Sequence, residues 1–179
     1  MAEPLPDRRG LLLSGFALAL NFGVVASGAA ATAGAPLAPR VLFICQYGTA
    51  KSAIAREVFR QRAQARGIPV FAYSRGITPA EHISPTLRTR LLADGIDPAR
   101  EPVQTLAQAD IKSADIVVTF DPLPKALRAR RTLDWSSLPS MNDAYPRARA
   151  DLLVRVDALL DRIRTERRDQ TAASNGKSS

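Results

Sequence analysis

The chain has a single cysteine, Cys45, and a single histidine, His82, and that scarcity excludes much chemistry. One cysteine forms no disulfide within the chain and builds no cysteine-based metal site of the usual spacing. One histidine leaves almost nothing for a zinc site or a Ser-His-Asp triad. Nucleophilic catalysis, if the chain performs it, runs through Cys45. Aromatic residues are also few, at 6%, and no basic run is interleaved with them. That speaks against a stacking platform for single-stranded nucleic acid, so no nucleic-acid partner is expected. Acidic residues are outnumbered: 17 Asp and Glu against 25 Lys and Arg give a net charge of +8. Glu3 and Asp7 cancel Arg8 and Arg9, so the excess lies beyond residue 39. It suits an anionic partner such as a phosphorylated substrate or an oxyanion.

Charge is absent altogether between Arg9 and Arg40. Leu11, Leu12 and Leu13 follow the paired arginines, and an Ala- and Gly-rich stretch leads to Ala29-Ala30-Ala31 and Ala31-Thr32-Ala33, which both fit an A-x-A cleavage site. The twin arginines with leucines behind them resemble a twin-arginine export signal, which implies a bacterial, periplasmic destination. The competing expectation is an uncleaved membrane anchor, since the uncharged run exceeds the ~20 residues that span a bilayer. A membrane is a partner only in that case. The length of 179 residues leaves room for one domain besides. The expected organisation is an export signal or anchor over 1–33, an α/β domain over 34–168, and a disordered tail over 169–179.

Within the domain, "VLFIC" (41–45) is a continuous apolar run, as in a strand buried on both faces of a parallel sheet. From Ser52 the pattern is helical, with Ile54, Val58 and Phe59 on one face and Arg56, Glu57, Arg60 and Arg62 largely outside it. Gly67 ends that helix. "IPVFAYS" (68–74) and "ADIVVTF" (114–120) read as strands, Leu87, Leu91 and Leu92 mark a helix before Gly95, and 104–111 is a short helix or turn. "PKALRARR" (124–131) reads as a short basic helix and 133–145 as a strand end and loop. A final helix from about Pro146 to Arg168 carries Leu152, Val156, Leu159, Leu160 and Ile163 on one stripe. Strands alternating with helices predict a four-stranded parallel sheet flanked by helices.

The stretch "CQYGTAKS" (45–52) puts a cysteine at a strand's carboxyl end, then a short loop, a cation and a serine at a helix start. Loop amides and a helix N-terminus converge there on one point, which is a cradle for an anion held over sulfur. The same donors favour a thiolate. Gly48 supplies a position able to take positive φ, and Ser52 can hydrogen-bond the sulfur. The expected catalytic residues are Cys45, Lys51 and Ser52, and the expected phosphate-binding loop is Gln46, Tyr47, Gly48, Thr49, Ala50 and Lys51.

Cys45-x5-Lys51-Ser52 resembles the C-x5-R-[S/T] loop of low-molecular-weight protein-tyrosine phosphatases and the related thioredoxin-coupled arsenate reductases. "SRGITPAEHISP", "LLADGID" and "LAQADIKSADIVVTFD" are similar to further segments of those families in the same order, so the resemblance covers about residues 40–168. It implies hydrolysis of phosphomonoesters, phosphotyrosine among them, through a cysteinyl-phosphate, with no metal or organic cofactor. The alternatives are arsenate reduction with an external thiol, since the resolving cysteines are missing, and a catalytically silent module that binds oxyanions or phosphoproteins. Lys51 departs from the family's arginine and offers a point charge instead of a bidentate fork. The family's acidic Asp-Pro is also displaced. Asp121, Asp134 and Asp143 are all candidates for the general acid, and His82 reads as a loop residue without a chemical role. For the N-terminus, sequencing of protein recovered from cells should start near Thr32 or Gly34, whereas an intact Met1 means that the segment is retained.

Overall fold

The centre of the fold is β1 (Arg40–Cys45), whose residues Val41–Cys45 are all buried. The computed structural model describes residues 37–127, 129 and 131–175. The expected export segment, 1–33, lies outside the described residues, as do Arg128 and Arg130 of the basic stretch. β1 is followed by α1 (Lys51–Ala65), β2 (Phe71–Gly76), α2 (Pro85–Ala93), a 3-10 turn at Pro98–Arg100, α3 (Gln108–Ser113), β3 (Ile116–Thr119), β4 (Thr132–Asp134) and α4 (Tyr145–Asn175). The four strands are parallel in the order β2-β1-β3-β4, with Val41 opposite Ala72 on one side and Ile116 on the other. Alternation along β1 divides the interior. Val41, Phe43 and Cys45 pack with residues of α1 and α4, while Leu42 and Ile44 pack with Tyr73, Ile111 and Val117. The expected sheet is therefore present, and Cys45 ends the strand that is covered on both faces.

Local chemistry explains the boundaries. α1 stops at Gly67, which takes φ +62, with the Gly67 amide donating to Gln64 and the Ile68 amide to Ala63. That paired closure satisfies carbonyls the helix would otherwise leave open. β2 starts at Phe71, later than the sequence pattern suggests, because Pro69 has no N–H for a ladder. Ser84 caps α2 by accepting from the Leu87 amide at 3.2 Å. The apolar stripe of α4 is buried as expected. Its helix continues to Asn175, seven residues past the expected end, because "DQTAAS" holds neither Gly nor Pro to stop it. The expected disordered tail is thus helical as far as Asn175.

Two further expectations are corrected. No helix covers 124–131 among the described residues. Lys125 and Ala126 form a turn closed by the Leu127 amide on Pro124. More consequentially, Arg56 and Glu57 lie inside the fold, 2% and 3% exposed, not on its surface. The Arg56 guanidinium donates to Glu57 at 2.9 Å, to Ser74 of β2 at 3.0 Å and to the Pro98 carbonyl at 3.2 Å, and pairs with Glu101 at 3.3 Å. Arg60 also binds Glu101 and the Ala72 carbonyl. Buried charge is tolerated only when each group is met in this way.

Glu101 sits below its ordinary value of 4.5: partial burial opposes ionisation, but the hydrogen bond from Arg60 and the charges of Arg56, Arg60 and Arg75 outweigh it. Hydrogen bonds from Arg62 and Arg131 likewise hold Asp157 and Glu166 low. A carboxylate depressed in the folded state adds stability above its unfolded value and loses it as pH falls through the folded one. Thermal unfolding should therefore begin to move down below about pH 4.5. Glu101→Gln should be less stable than the parent at neutral pH, and the difference should shrink as pH falls below 4.5 through the depressed folded value.

Candidate active site

The thiol of Cys45, 5% exposed, lies at the floor of a pocket of about 220 Å³ at the carboxyl end of β1. The Gly48 amide donates to Sγ at 3.2 Å, and Ser52 Oγ is 3.0 Å from Sγ with Ser52 fully buried. Ala50 stands at the N-cap of α1 and provides no capping side chain, so the first amides of that helix remain available to an anion. The positions of Cys45, Gly48 and Ser52 are those expected from the sequence.

The loop holds this shape because its outer side is bonded throughout. The carbonyls of Cys45, Gln46 and Tyr47 accept from the amides of Ile77, Thr78 and Ala80 at 3.1, 2.8 and 3.2 Å. Thr49 Oγ1 donates to the Ala80 carbonyl at 2.9 Å and accepts from the His82 amide at 3.1 Å. Two glycines make this approach possible. Gly48 has φ +76, and a Cβ there would lie 2.6 Å from Val103 and 2.9 Å from the backbone of Gly76. A Cβ on Gly76 would meet the Tyr47 carbonyl at 2.9 Å. Neither position admits a side chain without moving backbone.

Other expected site residues fall into place differently. Gln46 donates its amide to Asp121 Oδ2 at 2.8 Å, so it anchors the loop and does not cradle the anion. Lys51 lines the pocket, but its ammonium donates to the Leu138 carbonyl at 2.8 Å, leaving two of its three N–H bonds for other acceptors. Of the three acid candidates only Asp121 lines the pocket. Asp134 is solvent-exposed and accepts from the Ser136 amide at 2.8 Å, a bond that holds its carboxyl below the usual carboxylate range. Asp143 is also exposed, with its amide on Ser140 Oγ.

The structure adds walls that sequence reasoning missed. His82 lines the pocket with its ring stacked on Tyr47, centroids 4.4 Å apart. Opposite them are Ser140, Met141 and Asn142, from the segment that the buried Trp135 ties to Phe43 and Phe120. Asn142 Nδ2 donates to the His82 carbonyl at 2.8 Å while its Oδ1 accepts from the Ser84 amide at 2.9 Å. The lone histidine was visible in the sequence. Its place at the pocket depends on three separate segments and was not.

Residues 40–134 match the model of the family described as low molecular weight phosphotyrosine protein phosphatase. A search of the curated proteins gives no match. Among solved structures, YfkJ from Bacillus subtilis is 18% identical with a TM-score of 0.63, over 74% of this chain and 99% of that one. A low molecular weight protein tyrosine phosphatase from T. tengcongensis is 22% identical with a TM-score of 0.55, over 70% and 99%. The thioredoxin-dependent arsenate reductase Cg_ArsC1' of Corynebacterium glutamicum is 24% identical with a TM-score of 0.56, over 74% and 65%. At these identities the common property is the fold.

Removing the loop's anchor should weaken the cradle. Asp121→Ala is expected to reduce inorganic phosphate binding about tenfold or more in calorimetry, since the Gln46 amide loses its acceptor. Asp121→Asn retains an acceptor and should stay within about threefold of the parent.

Proposed function

Since the chain belongs to the low molecular weight phosphotyrosine protein phosphatase family, matched over more than half of its length, we propose that it hydrolyses phosphomonoesters through a cysteinyl-phosphate. The observation that carries this reading is the sulfur of Cys45, held 3.2 Å from the Gly48 amide and 3.0 Å from Ser52 Oγ at the uncapped start of α1. Cys45 thiolate attacks phosphorus, the S–P bond forms and the P–O bond to the leaving group breaks. Water then displaces sulfur and releases phosphate. The Gly48 amide and Ser52 hydroxyl stabilise sulfur both as nucleophile and as leaving group. The amides of residues 49–51 and the Lys51 ammonium hold the phosphoryl oxygens.

Lys51 limits the rate in this scheme. An arginine fork binds two oxygens in fixed geometry, whereas the ammonium is a point charge shared with the Leu138 carbonyl. The same cradle also fits arsenate, and two arsenate reductases stand among the fold's neighbours. With one cysteine in the chain, that reaction requires an external thiol. The N-terminal segment supports an exported, periplasmic enzyme, where such thiols are scarce, and so favours the phosphatase.

Aryl-phosphate hydrolysis by the purified chain tests the proposal. Cys45→Ser should abolish turnover, and turnover that survives it overturns the reading. Lys51→Arg should raise kcat by about 10- to 100-fold, as expected for restoring a bidentate contact to the transition state. Phosphate binding without turnover in either the parent or Lys51→Arg indicates a silent oxyanion-binding module. Arsenite release that depends on added thiol indicates the reductase.

A further inference from the structure

In-line displacement at phosphorus sends the leaving group away from the attacking atom. Sγ of Cys45 lies at the buried floor of the pocket, so the leaving oxygen departs toward its mouth. A proton must meet it there. Asp121 is tied to the Gln46 amide beside Cys45, and Asp134 and Asp143 do not line the pocket. His82 does, and it is exposed at the mouth.

His82 is also held as a reacting group must be. Its amide donates to Thr49 Oγ1 at 3.1 Å, its carbonyl accepts from Asn142 at 2.8 Å and its ring rests on Tyr47 at 4.4 Å. The loop that carries the nucleophile thus fixes it from one side and the 140–142 segment from the other. Among the described residues neither ring nitrogen has a hydrogen-bond partner, so both remain open to a substrate. The charged and titratable groups that share its pocket are Cys45, Tyr47, Lys51 and Asp121. The neighbouring Glu81 accepts from the Ile83 amide and pairs with Arg88 of α2 at 3.3 Å.

We propose that His82 is the general acid and base of this active site, in place of an aspartate. Imidazole can give and retake a proton near neutrality. In the first step the S–P bond forms, the P–O bond breaks, and the imidazolium form of His82 passes one ring proton to the leaving oxygen and becomes neutral. In the second, neutral His82 takes a proton from the attacking water, the new P–O bond forms, and the S–P bond breaks to return Cys45 thiolate and phosphate. The proposal rests on the phosphatase reading above.

The test is leaving-group dependence in the full chain. His82→Ala should lower kcat/KM, which reports the first step alone, for phenyl phosphate, whose leaving oxygen needs a proton, by about 10²- to 10⁴-fold. For 2,4-dinitrophenyl phosphate, whose leaving group needs none, the loss in kcat/KM should stay within about threefold, while kcat falls because the second step loses its base. Added imidazole should restore phenyl phosphate turnover in His82→Ala, a rescue that a purely structural role does not give. His82→Gln, which keeps a polar side chain but no transferable proton, should show the same split. An equal loss of kcat/KM on both substrates overturns the proposal, as does a split that appears in Asp121→Asn and not in the His82 variants. Failure of the phosphatase reading looks different: the parent chain turns over neither ester, or Cys45→Ser still turns over both, and either result removes the proposal along with the reading.

Discussion

The close approach of Gly48 to Gly76 is the constraint on which the site depends. Where these two residues meet, the loop after β1 lies against the end of β2 with room for hydrogen atoms only. That approach lets the carbonyls of Cys45, Gln46 and Tyr47 bond outward to 77–80, and it brings the Gly48 amide to sulfur. It also carries Thr49 to the segment that presents His82. Cys45, the loop amides and His82 are thus positioned by one backbone-to-backbone contact, and the apolar helices behind them keep the sheet in place.

Charge is distributed unevenly around that contact. Buried Arg56 and Glu57 join the partly exposed Arg60 and Glu101 in a network that also engages Ser74 and the carbonyls of Pro98 and Ala72. The site itself is sparsely charged, with one ammonium and one carboxylate on its walls, each already bonded to backbone. This electrostatic design suits binding by oriented dipoles, which need little rearrangement when a ligand arrives.

The sequence made some of this legible and hid the rest for identifiable reasons. β1 and the stripe of α4 were plain because an apolar run and a 3.6-residue period survive without knowledge of any partner. The placement of Gly48 and Ser52 around the Cys45 sulfur was plain because the three lie within eight residues of one another and their geometry is local. Arg56 and Glu57 were misplaced because their partners, Ser74, Pro98 and Glu101, come from other segments that periodicity cannot see. The basic stretch at 124–131 showed helix-forming side chains, yet only a turn forms at Lys125 and Ala126. α4 runs past the end that its sequence suggests because a polar composition resembles a disordered tail, while no residue of 169–174 breaks a helix. Lys51 opens α1 at the pocket, and only the fold shows that the Leu138 carbonyl shares its ammonium.

The side chain of Asn142 spans two loops, with its amide nitrogen on the His82 carbonyl and its oxygen on the Ser84 amide. Neither loop can be lengthened, shortened or exchanged alone without stranding one half of that clamp. A chimera that borrows the 78–84 segment from a relative must therefore take the 140–143 turn with it, and in natural variation the two should change as one inherited unit.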